Sequence, residues 1–205
     1  MRKLLLLPLA AALSLAAEPA SPAPPEPGAK VTNFAAKAVD GKVRSLGDYR
    51  GKKAVVIVIV GTECPISNLY VVTLAEMHQK YSDKGVQFLA VNSNDHDSFD
   101  EVAAHARERK LPFPVLKDED HSVVDALGAS RTPEAFLLDA GGVIRYTGRI
   151  DDQYGYRYRR ASPSQTELKD AIDAILAGKP VVVPKTKLEG CNVDRRKKSA
   201  GRTAG

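Results

Sequence analysis

Cys64 and Cys191 are the only two thiols in a chain of 205 residues, and the first stands where a thiol becomes reactive. In the stretch 54–67, AVVIVIVGTECPIS, a β-branched run reads as a strand buried on both faces. It stops at Gly61, and Cys64 follows within three residues to open what the pattern predicts as a helix. The first turn of a helix has unpaired N–H groups and a partial positive charge, which favour thiolate over thiol. Pro65 suits the first helical position, where a missing N–H costs nothing. Glu63 works the other way, since a neighbouring carboxylate disfavours a second negative charge, so a tuned thiol is expected. The alternative is a buried, inert core cysteine. A strand-to-helix junction at the carboxyl end of a sheet, where open α/β folds place ligands, favours the reactive reading.

Other polar side chains give weaker signals. Arg131 could hold a thiolate or a peroxide oxygen through charge-assisted hydrogen bonds, or be a surface arginine. His78, His96, His105 and His121 are dispersed, and a copper carrier would need a second nearby thiol with a positioned histidine, so no metal site and no cofactor are expected. Tyr154, Tyr156 and Tyr158, interleaved with Arg157, Arg159 and Arg160, either line the approach to Cys64 or form an exposed loop.

The elements around these residues alternate strand and helix, which predicts an α/β fold with a central sheet and helices on its faces. After a lead-in containing Phe34 and the turn-like Asp40-Gly41, strand 54–60 leads to a helix over 65–83. Its apolar residues Ile66, Tyr70, Leu74, Met77 and Tyr81 recur at helical spacing. A second buried strand spans 86–93, and Ser98 with Glu101 forms a capping-box pattern ahead of a helix to Arg109. LPFPVLKD at 111–118 reads as a short extended segment at a sheet edge or in a connection, because of its two prolines. A short helix at 121–128 precedes a hairpin over 134–150, turned by Gly141-Gly142. The last helix runs from Ser164, capped with Glu167, to Gly178, and its apolar stripe is expected to cover the other face of the sheet.

At the N-terminus, residues 1–17, MRKLLLLPLAAALSLAA, show the three parts of a secretory signal peptide, with small residues at the cleavage point. The stretch is short for a membrane anchor, and Pro8 argues against one. Residues 18–29 read as a Pro-rich, solvated linker. Residues 30–178 have the length of one self-sufficient domain, and 179–205 form a basic tail that carries Cys191. The net charge of +5 misdescribes the domain: Arg2 and Lys3 lie in the leader and eight basic residues follow from Lys179, so the part between is slightly acidic. An export signal argues against nucleic acid as a partner for RRKK at 195–198, which reads as a solvated end. The expected location is the periplasm or the exterior, with no stable membrane insertion after signal cleavage.

The order strand, cysteine-headed helix, strand, helix, then Thr132-Pro133 leading into a hairpin and a final helix resembles the thioredoxin fold over residues 31–178. The motifs GTECPIS and RTPEAFLLDAGGVI are similar to the exported redoxin branch related to alkyl hydroperoxide reductase and to thiol-disulfide oxidoreductases. The resemblance implies a three-layer thioredoxin-like fold and antioxidant or oxidoreductase activity. It also implies a cis-Pro133 lying against the active-site sulfur, an ordinary trans-proline being the alternative. The candidate site then has Cys64 and Cys191 as the thiols that could react, with Thr62, Ser67, Arg131, Thr132 and Pro133 expected around the substrate.

The departures from that pattern are informative. Thioredoxins carry a second cysteine where this chain has Ser67, and peroxiredoxins carry a threonine three residues before the cysteine, where this chain has Gly61, with Thr62 one residue closer. The second thiol is then left to Cys191, either as the resolving partner of Cys64 or as one end of a structural bond pinning the tail. Three functions follow: thiol-disulfide exchange on a thiol or disulfide protein with an external thiol reductant, peroxide reduction, or a non-catalytic binding module with a structural disulfide.

Overall fold

The computed structural model describes residues 24–195, so the expected leader and the last ten residues of the tail lie outside the described residues. The chain runs β1 (Ala35–Ala38), β2 (Val43–Ser45), β3 (Ala54–Ile59), α1 (Pro65–Leu69), α2 (Val71–Tyr81), β4 (Val86–Asn92), α3 (Phe99–Glu108) and β5 (Val115–Lys117). It continues through α4 (Ser122–Leu127), β6 (Arg131–Thr132), β7 (Glu134–Asp139), β8 (Ile144–Gly148), β9 (Tyr154–Gly155), β10 (Tyr158–Arg159), α5 (Glu167–Leu176) and β11 (Cys191–Asn192).

All six side chains of β3 are buried, and alternation sends them to two different cores. Ala54, Val56 and Val58 join Tyr70, Leu74, Tyr81, Val102 and Ile172, from α2 with its cap, α3 and α5. Val55, Ile57 and Ile59 join Phe34, Val123, Val124 and Leu127 on the opposite face. The sheet between these layers has the order β2-β1-β5-β4-β3-β7-β8. Its three central strands are parallel to one another, and β7 is antiparallel to β3 in an unbroken register from Ala54↔Asp139 to Ile59↔Glu134. The architecture is a thioredoxin-like α/β fold with a mixed sheet.

Several local expectations need correction. The helix expected over 65–83 breaks at Tyr70, which ends α1 and caps α2 and whose hydroxyl donates to the backbone C=O and carboxylate of Asp151 (3.0 and 2.6 Å). Of the two places expected for the segment with two prolines, the connection holds for Pro112 and Pro114 and the edge does not, since β5 lies between β4 and β1, with the lead-in supplying the covering strand. The last helix starts at Glu167 rather than Ser164, whose hydroxyl is bonded to Asp152. It also packs on the same face as α2, since Leu168, Ala171 and Ile172 share a core with Leu74 and Tyr81.

The two ends of the described chain are not free. Gly28 N–H bonds Ile144 C=O (2.8 Å), and Glu26 pairs with Lys185 (2.7 Å), so the last part of the expected linker is tied to the domain. Residues 184–186 run along β8, where Thr147 N–H reaches Pro184 C=O (3.0 Å) and Thr186 N–H reaches Thr147 C=O (3.1 Å). The chain then crosses to the top of the sheet, where β11 pairs with β6. Residues 184–195 therefore form a strap with two attachments.

Candidate active site

Gly61 marks the point where the chain leaves the sheet, and its surroundings crowd the place a side chain would take. A Cβ there would lie 2.9 Å from Asn94 Nδ2 and 3.3 Å from Cys64 Cβ. A larger residue at the position where peroxiredoxins carry a threonine would have to displace the Asn94 amide. Thr62, next along, turns away from the sulfur: its hydroxyl and its N–H (3.3 Å) both donate to Asp97, which is buried and also accepts from Asn92 (2.6 Å) and Asn94 (3.0 Å). Asn68 closes the loop from the other side, donating to Thr62 C=O (2.8 Å) while its carbonyl faces His105 (2.6 Å).

Held in this way, Cys64 becomes the N-cap of α1, with its sulfur accepting from Ser67 N–H (3.5 Å). Ser67 is buried, and its hydroxyl accepts from Gly61 N–H (3.4 Å), so the residue in the second-cysteine position braces the loop. The thiol itself donates to Thr132 C=O (3.0 Å). Thr132-Pro133 is a cis peptide bond. Glu134, just after it, keeps this turn in place by accepting from the N–H groups of Ser130 (2.8 Å) and Arg131 (3.1 Å), and burial raises its pKa.

Cys191 stands directly across from Thr132 in the β6–β11 register. The approach is close enough to demand glycine before it: a Cβ on Gly190 would lie 2.2 Å from Thr132 O, and its φ of +148° suits glycine. Arg131, expected as a partner for a thiolate or peroxide oxygen, donates through one guanidinium nitrogen to Gly190 C=O (3.0 Å) and so seats the strap beside Cys191.

The two sulfurs divide the proton unequally. Burial pushes the Cys64 thiol up, but the Thr132 side chain, Ser67 N–H and Cys191 favour its thiolate and bring it below the ordinary value. Cys191 is pushed up to about 11 by burial and by its contact with Cys64, and Arg131 offsets this only in part. Cys64 therefore ionises first, with Cys191 as a donor beside it. The Thr132 hydroxyl is buried and has no hydrogen-bond partner, so its proton is free to turn to the sulfur once Cys64 ionises. Glu63, expected to oppose the thiolate, has a side chain 83% exposed and lies 3.8 Å from His96, so water and the imidazole weaken its effect.

The structure thus brings Cys64, Ser67, Thr132, Pro133 and Cys191 together, with Arg131 behind Cys191 and Thr62 facing Asp97. Of the tyrosines, Tyr154 packs edge-on against Tyr70 (4.9 Å between centroids) beside the Cys64 core, whereas Tyr156 is exposed. Asp97, Asn94, Asn68 and Glu134 were not anticipated. The polar run NSNDHD at 92–97, placed at the carboxyl end of β4, was the available signal for the first two. Among the described residues no group of three or more His, Cys, Asp or Glu stands where it could hold a metal ion.

The profile of the AhpC/TSA family matches residues 27–147, more than half of the chain. The chain belongs to the AhpC/TSA family. This AhpC/TSA protein is 29% identical over 119 residues to the thiol-disulfide oxidoreductase ResA of Bacillus thuringiensis, covering 58% of this chain and 67% of that one. It is 28% identical over 126 residues to the chloroplastic peroxiredoxin Q of Triticum aestivum, covering 58% of this chain and 57% of that one. An uncharacterized conserved protein from Geobacillus kaustophilus has a solved structure that superposes with a TM-score of 0.77 at 31% identity, over 84% of this chain and 94% of that one. At the level that this membership sets, the AhpC/TSA protein is a thioredoxin-fold redoxin with thiol-disulfide oxidoreductase or peroxiredoxin-like function.

Proposed function

We propose that this protein is an exported thiol-disulfide oxidoreductase with Cys64 as nucleophile and Cys191 as resolving thiol. The observation that carries the reading is the register of β11 on β6, which sets Cys191 opposite Thr132, the residue whose C=O accepts the Cys64 thiol. In the first step the Cys64 thiolate attacks one sulfur of a protein disulfide, forms a mixed disulfide and releases the other sulfur as a thiolate. Cys191 then gives up its proton and attacks Cys64, and the second substrate sulfur leaves as a thiol. An external thiol reductant returns the Cys64–Cys191 pair to two thiols. No cofactor is needed, because the two electrons of the exchange come from the thiols themselves. The leader-like residues 1–17 support export to the periplasm or beyond.

A second reading, thiol peroxidase, draws on the unpartnered Thr132 hydroxyl, which offers a donor to a peroxide oxygen. Cys64 thiolate would become sulfenic acid with loss of hydroxide, and Cys191 would condense with it to release water. The test mixes the reduced chain lacking the leader with a disulfide-bonded protein in one reaction and with hydrogen peroxide in another. Trapped products are then mapped by mass spectrometry. Exchange reads as a Cys64–Cys191 bond formed on the disulfide substrate with little peroxide consumed. Fast peroxide loss that disappears in Cys64→Ser favours the second reading, and a chain inert to both is a binding module.

A further inference from the structure

The strap ends in a socket on the loop between β4 and α3. Asp194 N–H donates to Asn94 Oδ1 (2.9 Å), its C=O accepts from Asp95 N–H (3.1 Å), and its carboxylate lies 2.9 Å from His96 Nδ1. The other ring nitrogen of His96 stands 3.5 Å from the Asp97 carboxylate and 3.8 Å from that of Glu63. One imidazole therefore touches the third residue after Cys191, the residue before Cys64, and the buried carboxylate that holds Thr62. Beneath it, buried Lys117 donates to Asn92 Oδ1 (3.2 Å) and Asn94 C=O (2.6 Å), which fixes the socket from inside.

We infer that His96 is a positioning residue for the thiol pair: by latching Asp194 beside Glu63 it docks the strap and sets how often Cys191 is presented to Cys64. The inference rests on the reading of Cys191 as the resolving thiol. Gly190 and Arg131 seat the strap before Cys191, the socket seats it after, and only a short run of chain separates the two holds. Loss of either leaves Cys191 on a longer, freer segment, which lowers its effective concentration at Cys64.

Protonation should control the latch. The groups facing the imidazole are Asp194 from the strap, Glu63 from the loop ahead of α1, Asp97 from its own loop and, farther off, Glu101 on α3. Lys117 lies behind Asp97, and Arg195 beyond Asp194 is paired with Asp125. Carboxylates thus dominate, and the Asp194 hydrogen bond followed by Asp97 and Glu63 raises the imidazole above its ordinary value of 6.5. A raised folded value means that docking is strongest below that ordinary value and weakens as pH rises through the raised one.

The test equilibrates the protein with glutathione, where the reduced pair and one oxidised glutathione give the Cys64–Cys191 bond and two reduced glutathiones. At pH 6, His96→Gln should lower the effective concentration of the pair about tenfold, equal to about 30 mV for this two-electron couple. The ratio of wild type to His96→Gln should fall toward one at pH 8.5, whereas His96→Lys, a permanent cation, should keep its advantage over His96→Gln at both. Asp194→Asn, approaching from the strap side, should match His96→Gln. Amide exchange at Val193 and Asp194 should accelerate in the same variants. Equal effective concentrations in wild type and His96→Gln at both pH values overturn the inference, as does faster exchange with an unchanged equilibrium. A wild-type chain that never forms the bond overturns the resolving role of Cys191 by itself. In that case unchanged amide exchange in His96→Gln overturns the latch, and faster exchange supports it.

Discussion

The loop bearing Cys64 grows out of the middle of the sheet, whereas the strap bearing Cys191 lies on its surface. Behind Cys64 stands β3, paired on both sides and covered on both faces, and the sulfur sits among buried side chains of the larger core. Cys191 is half-buried on a two-residue strand, held by backbone pairing to β6, by Arg131 and by the Asn94 and His96 socket. The nucleophilic role proposed for Cys64 requires ionisation at one fixed place, which its buried, hydrogen-bonded surroundings suit. The resolving role proposed for Cys191 requires that a substrate sulfur come and go, which a hold of a small number of polar contacts would allow. The acid–base asymmetry follows the same division, with Cys64 lowered and Cys191 raised.

Removing the fixed member should have the largest effect. Cys64→Ser should reduce disulfide exchange by on the order of 10³-fold or more, as loss of a covalent nucleophile does. Turnover of a disulfide substrate checks this against the unmodified chain. Denaturant titration separates the two regions next. Leu74→Ala, in the core beneath Cys64, should cost about 2–5 kcal/mol, while Asn192→Ala on the strap should stay within about 0.5 kcal/mol.

A change confined to the strap should act on the thiol pair instead. Gly190→Val places a side chain against Thr132 C=O, and relieving about 1–3 kcal/mol of such strain by undocking should slow Cys64–Cys191 bond formation roughly 5- to 150-fold. Stopped alkylation after an oxidant pulse would show it. A smaller effect is electrostatic: Cys191→Ala removes a donor to the Cys64 thiolate, so the thiolate absorbance of Cys64 should rise at a higher pH than in wild type. The smallest lies under the loop. Burial pushes Asp97 up, but Thr62, Asn92 and Asn94 outweigh it and hold the carboxyl below its ordinary value of 3.8. The stability it adds is present above that value and is lost as pH falls through the lowered one, so Asp97→Asn should flatten the acid limb of a melting-temperature profile.

What could be read from sequence divides along the same line. The Cys64 junction was legible because local rules converge there: a β-branched run, a terminating glycine, a cysteine at the cap and a proline after it. The α2 face was legible for a similar reason, since Tyr70, Leu74, Met77 and Tyr81 repeat at helical spacing and all are buried. The break at Tyr70 was not, since no glycine, proline or loss of apolar spacing marks it in the local pattern. Nor does local periodicity say which face an amphipathic helix covers, and α5 shares its core with α2 for reasons of chain path. Cys191 could be singled out as the second thiol, but its register opposite Thr132 goes with the meetings of Gly190 with Arg131 and of Asp194 with Asn94, pairs far apart in sequence.

The run of the strap along β8 has a consequence apart from thiol chemistry. β8 is the last strand of the seven, and Pro184, Lys185 and Thr186 occupy the hydrogen-bonding side that it turns outward at Thr147. An outermost strand left bare is a template for another chain, and sheets commonly blunt it with proline and lysine, two of the residues found here. The same segment that delivers a thiol to one end of the sheet therefore shields its flank from self-association. A chain shortened before Pro184 should lose monodispersity at high concentration as well as its second cysteine, and size-exclusion chromatography would separate that change from the loss of redox pairing.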